Sequence, residues 1–239
     1  MGAGAAPADV QRAAELFHRD GFVCLTNVLA GEALERTAQG VDRVMRTVVQ
    51  LDPEGRGTNG PHRYSFGGCS VTRHMLHDPA WRGLVDLPPV TAVLTAVFGS
   101  PNYLCRGGGG ELALPGAVEY QALHSDQHGE RGRPRPTDEP LDGPAGFTRG
   151  SESLNGRGGS FSDPAGLGLN IRDLPCSMIA VNYTMLDQTY ENAPIRVIPG
   201  SAKWQWAVPR LDEEAESMRY STLCPVPAGS AILRDARCW

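Results

Sequence analysis

From about residue 102 to its last residue, the chain is divided into short apolar runs by glycine, proline and asparagine, and this feature limits the fold most. Runs of four to eight residues between turn-forming residues are typical of β-strands. Strands are predicted over 102–106, 117–123, 177–186, 195–198, 220–224 and 230–234. This part of the chain is therefore predicted to form an antiparallel sandwich or barrel.

The first hundred residues carry a helical pattern of apolar positions instead. Helices are predicted over 9–19, 31–51 and 84–98, with a strand over Phe22 to Leu25. A chain of 239 residues with 41% hydrophobic side chains can bury one core. We therefore expect a single domain over residues 1–239, with a helical N-terminal layer at about 9–100 and a β core at about 101–239.

One stretch inside the β core is too rich in glycine, proline and charged side chains to form a packed element. It covers residues 129–168 and is predicted to be a mobile insertion. Long connections of this kind are often functional. Two interpretations of this insertion remain: a lid over a site, or a surface loop without a function.

Charge and cysteine usage exclude several classes of function. The net charge is -5 and the basic residues are scattered, so a nucleic-acid partner is not expected. No apolar stretch approaches the ~18 residues of a membrane span. The six cysteines contain no Cys-x-x-Cys pair and are expected to be reduced thiols. These features predict a cytoplasmic protein, and they leave the oligomeric state open.

The best chemical signal is His124-Ser125-Asp126, which follows the predicted strand 117–123. Side chains alternate along a strand, so His124 and Asp126 are expected on one face. One imidazole nitrogen and one carboxylate oxygen could then bind the same metal. With a second histidine they would form the two-His-one-carboxylate site of non-haem iron enzymes, which leaves positions open for a cosubstrate and O2.

Two similar patterns compete with this one. His18-Arg19-Asp20 also has the His-x-Asp spacing, but it lies where the first predicted helix ends and is interpreted as a helix end. His128-Gly129-Glu130 fits a looser His-x-Glu pattern at the start of the insertion. Neither follows a predicted strand, so His124 and Asp126 are the preferred metal ligands.

Three segments resemble the phytanoyl-CoA dioxygenase family, in the same order along the chain. They are Phe17 to Val23, His124 to Asp126, and Asn192 to Ser201. The last is the most specific, because family members carry a similar Asn-Gly-x-x-Arg-x-x-Pro-Gly-Ser-His sequence. Here Ala193 replaces the glycine and Ala202 the histidine. The resemblance covers roughly residues 12 to 239.

This resemblance implies a double-stranded β-helix, the cupin-like jelly roll, and a dioxygenase that uses Fe(II), 2-oxoglutarate and O2 to hydroxylate a small-molecule substrate. It implies that His124 and Asp126 are iron ligands and that Asn182 faces 2-oxoglutarate. Tyr120 is expected to line the same pocket. A cross-strand hydrogen bond for Asn182 and core packing for Tyr120 are the alternatives.

The resemblance also predicts features beyond the last residue. Gly229 to Trp239 matches the strand that precedes the second histidine ligand, and the next position would be that histidine. An arginine about ten residues later would bind 2-oxoglutarate. We therefore expect a fragment of an oxygenase with its last strand incomplete. The alternative is a pseudoenzyme or a non-catalytic jelly-roll module that binds a small molecule. The carboxylate ligand favours hydroxylation over halogenation.

Overall fold

The structure is a computed structural model that describes residues 6–68, 73–127, 174–192, 194–204 and 208–239. The predicted insertion 129–168, His128 and Glu130 therefore lie outside the described residues. The helices are α1 (Pro7–Asp20), α2 (Gly31–Leu51), α3 (Pro79–Arg82), α4 (Pro88–Phe98) and α5 (Glu214–Met218). The strands are β1 (Phe22–Leu25), β2 (Arg63–Phe66), β3 (Gly110–Ala113), β4 (Ile179–Tyr183), β5 (Arg196–Val197), β6 (Thr222–Leu223) and β7 (Ala231–Asp235).

The largest sheet has three antiparallel strands in the order β1-β7-β4. Its central strand β7 pairs Ile232 with Cys24 on one side and with Asn182 on the other. The chain enters β1 from α1 through Gly21, whose φ of +82° favours glycine and whose amide closes the helix on Phe17 O at 2.7 Å. The N-terminal layer thus contributes an edge strand to a sheet built mainly from the second half of the chain.

Alternate residues of β7 belong to two different cores, as the period of a strand requires. Ala231 and Leu233 pack with α1 and α4 against residues such as Phe17 and Val93. Ile232 faces the other way. It belongs to a second cluster with Val197, Ala202, Cys224, Val226 and Cys238. The sheet therefore has helices on one face and the β5-β6 region on the other.

The Pro199-Gly200-Ser201 block is held against the last residues of the chain. Ile198 N donates to Trp239 O at 2.9 Å, and Trp239 N donates to the buried Ser201 Oγ at the same distance. Gly200 has a φ of +78°. The block forms a turn, which continues into a single 3-10 turn at Ser201–Lys203.

The three predicted helices and the strand at 22–25 are confirmed, although the last helix begins at Pro88 rather than at 84. The predicted strands over 177–186, 195–198, 220–224 and 230–234 are confirmed in shorter form. Strands over 102–106 and 117–123 were wrong predictions, because the backbone there pairs with no neighbouring strand. The β2-β3 pair was missed.

The described strands form three separate small sheets, so a closed jelly-roll barrel stays a prediction. Within the described residues, no helix combines the length and the apolar character that crossing a membrane requires.

Candidate metal centre

The candidate ligands lie on an irregular segment that is fixed by contacts from distant parts of the chain. The buried Ser125 Oγ donates to Ala236 O at 3.0 Å, and Gln127 N donates to the same carbonyl at 2.8 Å. On the other side of His124, Leu123 N donates to the Glu214 carboxylate at 2.9 Å. The segment is thus held just after β7 and at the start of α5, without being a strand.

These anchors bring His124 and Asp126 together as predicted. His124 Nε2 lies 3.4 Å from Asp126 Oδ1. Metal–nitrogen and metal–oxygen bonds are each about 2.0–2.2 Å long, so two donors at this separation can reach one ion. The two side chains remain 43% and 37% exposed, which leaves the pair open to a ligand.

The other nitrogen of His124 determines what Nε2 can do. Nδ1 lies 2.9 Å from Ala122 O, a carbonyl that can only accept a hydrogen bond. In the neutral ring Nδ1 therefore carries the proton and Nε2 presents a lone pair. That lone pair can take up a proton or bind a metal ion.

The pKa directions agree with this geometry. The hydrogen bond with Asp126 raises the pKa of His124 above 6.5, although burial of the imidazole opposes the shift. The pKa of Asp126 falls to about 2, first because His124 donates to it and also because of the charge of Arg234. Both shifts favour a proton between the two side chains when no metal is bound.

Arg234 is a member of this site that the sequence analysis missed. Its Nη2 lies 2.5 Å from Asp126 Oδ2, and its side chain is only 14% exposed. The available signal was a cationic side chain in the apolar run Ala231–Asp235, on the same face of β7 as Ile232. What the sequence could not show was its partner, which lies 108 residues earlier.

A second polar contact reaches His124 from its own segment. The carboxamide nitrogen of Gln121 lies 3.1 Å from His124 Nε2, and Gln121 Oε1 accepts from Arg63 Nη2 at 3.2 Å. Arg63 belongs to β2. The polar site thus extends from β2 to β7, with the His124–Asp126 pair at its centre.

The structure directs Tyr120 toward a different residue. Tyr120 is 63% exposed, and the neighbouring Glu214 carboxylate raises the pKa of its phenol. Glu214 itself is buried, and its Oε1 has no hydrogen-bond partner among the described residues. The exposure of Tyr120 is inconsistent with core packing, and its role at the cosubstrate stays a prediction.

Asn182 lies on the face of the sheet that Arg234 occupies. Its register partner on β7 is Ile232, two residues before Arg234 on the same side of the strand. Asn182 Oδ1 is buried and accepts no hydrogen bond from any described residue. A buried amide oxygen without a donor is costly unless a ligand or water supplies one. The alternative of a cross-strand hydrogen bond through this oxygen is thereby excluded within the described part of the chain.

The pair fits part of a metal site. Its donors are one imidazole and one carboxylate, the types that non-haem iron takes. Among the described residues, no cluster of three or more His, Cys, Asp or Glu side chains surrounds a common point. His124 and Asp126 are thus the two candidate ligands in this part of the chain. The other His-x-Asp pattern is confirmed as a helix end, since His18 and Asp20 close α1.

Comparison with known proteins gives information about the fold. No protein-family profile and no curated protein matches the sequence. Among solved structures, the chain is similar to the crystal structure of the epimerase SnoN in complex with Fe3+, alpha-ketoglutarate and nogalamycin RO. The TM-score is 0.51 at 16% sequence identity, over 98% of this chain and 76% of that one. At this identity the likeness shows a shared fold.

Proposed function

We propose that this chain functions as an Fe(II)- and 2-oxoglutarate-dependent oxygenase that hydroxylates a small molecule. The observation that carries the proposal is the facing pair of His124 Nε2 and Asp126 Oδ1, 3.4 Å apart. The pair has the donor types, the separation and the exposure that two ligands of non-haem iron require. The resemblance to the phytanoyl-CoA dioxygenase family and the fold shared with SnoN, solved with Fe3+ and alpha-ketoglutarate, support it.

Bound iron with 2-oxoglutarate and O2 would supply the oxidising chemistry. The protein's part is to hold donors and exclude competing ligands. His124 would give up a proton and present Nε2, with its ring oriented by the Ala122 carbonyl. Asp126 is already ionised at neutral pH, since its pKa is about 2. Asn182 offers a buried oxygen without a donor on the same sheet face, where a bound water or a donor group of the substrate could meet it.

The reaction type is the less constrained part of the proposal. A carboxylate ligand favours hydroxylation over halogenation, because halogenases replace that ligand with a small residue. SnoN is an epimerase, so the shared fold also accommodates inversion of a stereocentre. Product analysis with a substrate in hand must therefore distinguish an added oxygen atom from an inverted centre.

A non-catalytic binding module is the second candidate. The observation that favours it is the absence of a third metal-binding side chain beside His124 and Asp126 within the described residues. Such a module would bind a small molecule without holding iron.

Anaerobic titration with Fe(II) and 2-oxoglutarate separates these candidates. The oxygenase should develop a visible metal-to-ligand charge-transfer band, which His124→Ala and Asp126→Ala abolish. His18→Ala is the matched control, since His18 has the same His-x-Asp spacing at a helix end, and it should keep the band. If the chain develops no band, the binding module replaces the oxygenase.

A further inference from the structure

The two oxygens of the Asp126 carboxylate have different partners. Oδ1 faces His124 Nε2 at 3.4 Å, and Oδ2 is in contact with Arg234 Nη2. Only Oδ1 is therefore directed at the position where a metal could bind both Asp126 and the imidazole of His124. A carboxylate bound through one oxygen occupies one coordination position, whereas bidentate binding occupies two.

Arg234 is held more firmly than the aspartate that it contacts. It lies on the central strand β7, where the register places Phe22 on one side and Ala180 on the other. Its side chain is 14% exposed, against 37% for Asp126. An arginine fixed by a sheet can therefore set the orientation of a carboxylate on an irregular segment.

We propose that Arg234 is a positioning residue that keeps Asp126 monodentate toward the metal, so that coordination positions stay open for the oxo-acid cosubstrate. The inference rests on the proposed function, since it concerns the same metal pair. An energetic argument for structure alone is weak, because a partly exposed ion pair such as Arg234–Asp126 adds little net stability. The observed contact of Arg234 with Asp126 Oδ2, which keeps this oxygen away from the metal position, gives the arginine a role at the site.

A positioning role and a merely structural role for Arg234 predict different changes in metal affinity. Without the guanidinium, both Asp126 oxygens can turn to the metal, and a positive charge next to the site is lost. Metal affinity should then stay equal or rise, while cosubstrate affinity falls because fewer positions are free. A merely structural role would weaken both affinities together.

Cobalt(II) titration tests this, because the visible absorption of Co(II) reports its coordination. Arg234→Met should bind Co(II) at least as tightly as the unmodified chain, with a changed visible spectrum before any cosubstrate is added. Its Co(II) form should bind 2-oxoglutarate at least tenfold more weakly. Arg234→Lys should restore the spectrum, since only one guanidinium nitrogen contacts Asp126 in the structure.

The control is Arg19→Met, which removes an exposed arginine that also pairs with an aspartate, Asp20. It should leave both affinities and the spectrum unchanged. An Arg234→Met protein with the unmodified cobalt spectrum, or with weakened binding of both ligands, overturns the positioning role and leaves the metal site standing. If the unmodified chain gives no Co(II) spectrum at all, the proposed function and this inference fail together.

Discussion

Ser125 Oγ donates a hydrogen bond to Ala236 O across 3.0 Å, and this contact joins the middle of the ligand segment to the turn after β7. Ser125 stands between His124 and Asp126 and is 2% exposed. His124 and Asp126 thus flank a residue whose side chain is fixed inward, and both remain partly exposed. This contact, rather than a strand over 117–123, holds the segment in place.

Substitution Ser125→Ala should destabilise the fold without removing a ligand. The loss of one buried hydrogen bond is expected to lower the free energy of unfolding by about 1 kcal/mol. Chemical denaturation measures the change, with the exposed Ser65→Ala as the control, for which little change is expected. A Ser125→Ala protein as stable as the unmodified chain would show that this contact does not hold the segment.

Removal of one partner from the buried pair Asp235–Arg237 should strongly destabilise the fold. Arg237 donates to Asp235 from its backbone amide, Nε and Nη2, and both side chains are less than a tenth exposed. Removal of one partner leaves an uncompensated buried charge. Arg237→Leu is therefore expected to cost roughly 3–5 kcal/mol of unfolding free energy.

The matched control for that substitution is Arg210→Leu, because Arg210 pairs with Asp212 at the surface, where both side chains are more than two thirds exposed. It should cost no more than ~1 kcal/mol. Equal losses in the two variants, measured by denaturant titration, would contradict the importance of burial for the Asp235–Arg237 pair.

Metal affinity should depend on pH through His124. Its pKa is raised above 6.5 by Asp126, and a metal must displace the proton that this shift retains. Affinity should therefore rise as the pH increases through the raised pKa. Asp126, with a pKa of about 2, adds no pH dependence above pH 4. Isothermal titration with Co(II) at several pH values gives the profile.

His124 and Asp126 also make the folding stability of the metal-free protein depend on pH, and the His124 contribution falls over the pH range in which metal affinity rises. The stability contributed by protonated His124 is complete below pH 6.5 and is lost as the pH rises through its folded-state pKa. The contribution of Asp126 is present above pH 3.8 and is lost as the pH falls toward 2. His124→Gln should flatten the alkaline part of this stability profile. An unchanged profile would show that His124 and Asp126 do not interact as the structure places them.

Asn182 can be tested by a substitution that separates stability from binding. Its Oδ1 is buried without a donor, so Asn182→Leu should leave the free energy of unfolding equal or higher. If the Asn182 amide binds the cosubstrate through its nitrogen, or through a water on Oδ1, the affinity for 2-oxoglutarate should fall by about tenfold, which corresponds to ~1.4 kcal/mol. Loss of stability with unchanged affinity would assign Asn182 to the sheet alone.

The sequence predicted the elements whose pairing is regular. Helical spacing gave α1 and α2, and short apolar runs gave β1, β4 and β7, because buried faces repeat with fixed periods. The strand at 117–123 failed for a physical reason. Its Leu123 amide bonds to the side chain of Glu214, 91 residues later, instead of to a neighbouring strand. An apolar run does not reveal which partner satisfies its backbone.

The candidate site shows the same division. The short spacing of His124 and Asp126 predicted their proximity, since residues two apart can meet on any extended segment. Arg234 and Glu214 escaped prediction because each reaches the ligand segment across roughly a hundred residues, through a single side-chain contact. Spacing in the sequence carries no record of such contacts.

Detection of a metal–nitrogen bond tests most directly whether His124 is a metal ligand. Pulsed electron paramagnetic resonance of the chain loaded with Mn(II) and 2-oxoglutarate detects nitrogen nuclei bound to the metal. We expect an imidazole nitrogen coupling that disappears in His124→Ala and persists in His18→Ala. A coupling that survives in His124→Ala, or no coupling in the unmodified chain, would contradict the assignment of His124 as a metal ligand.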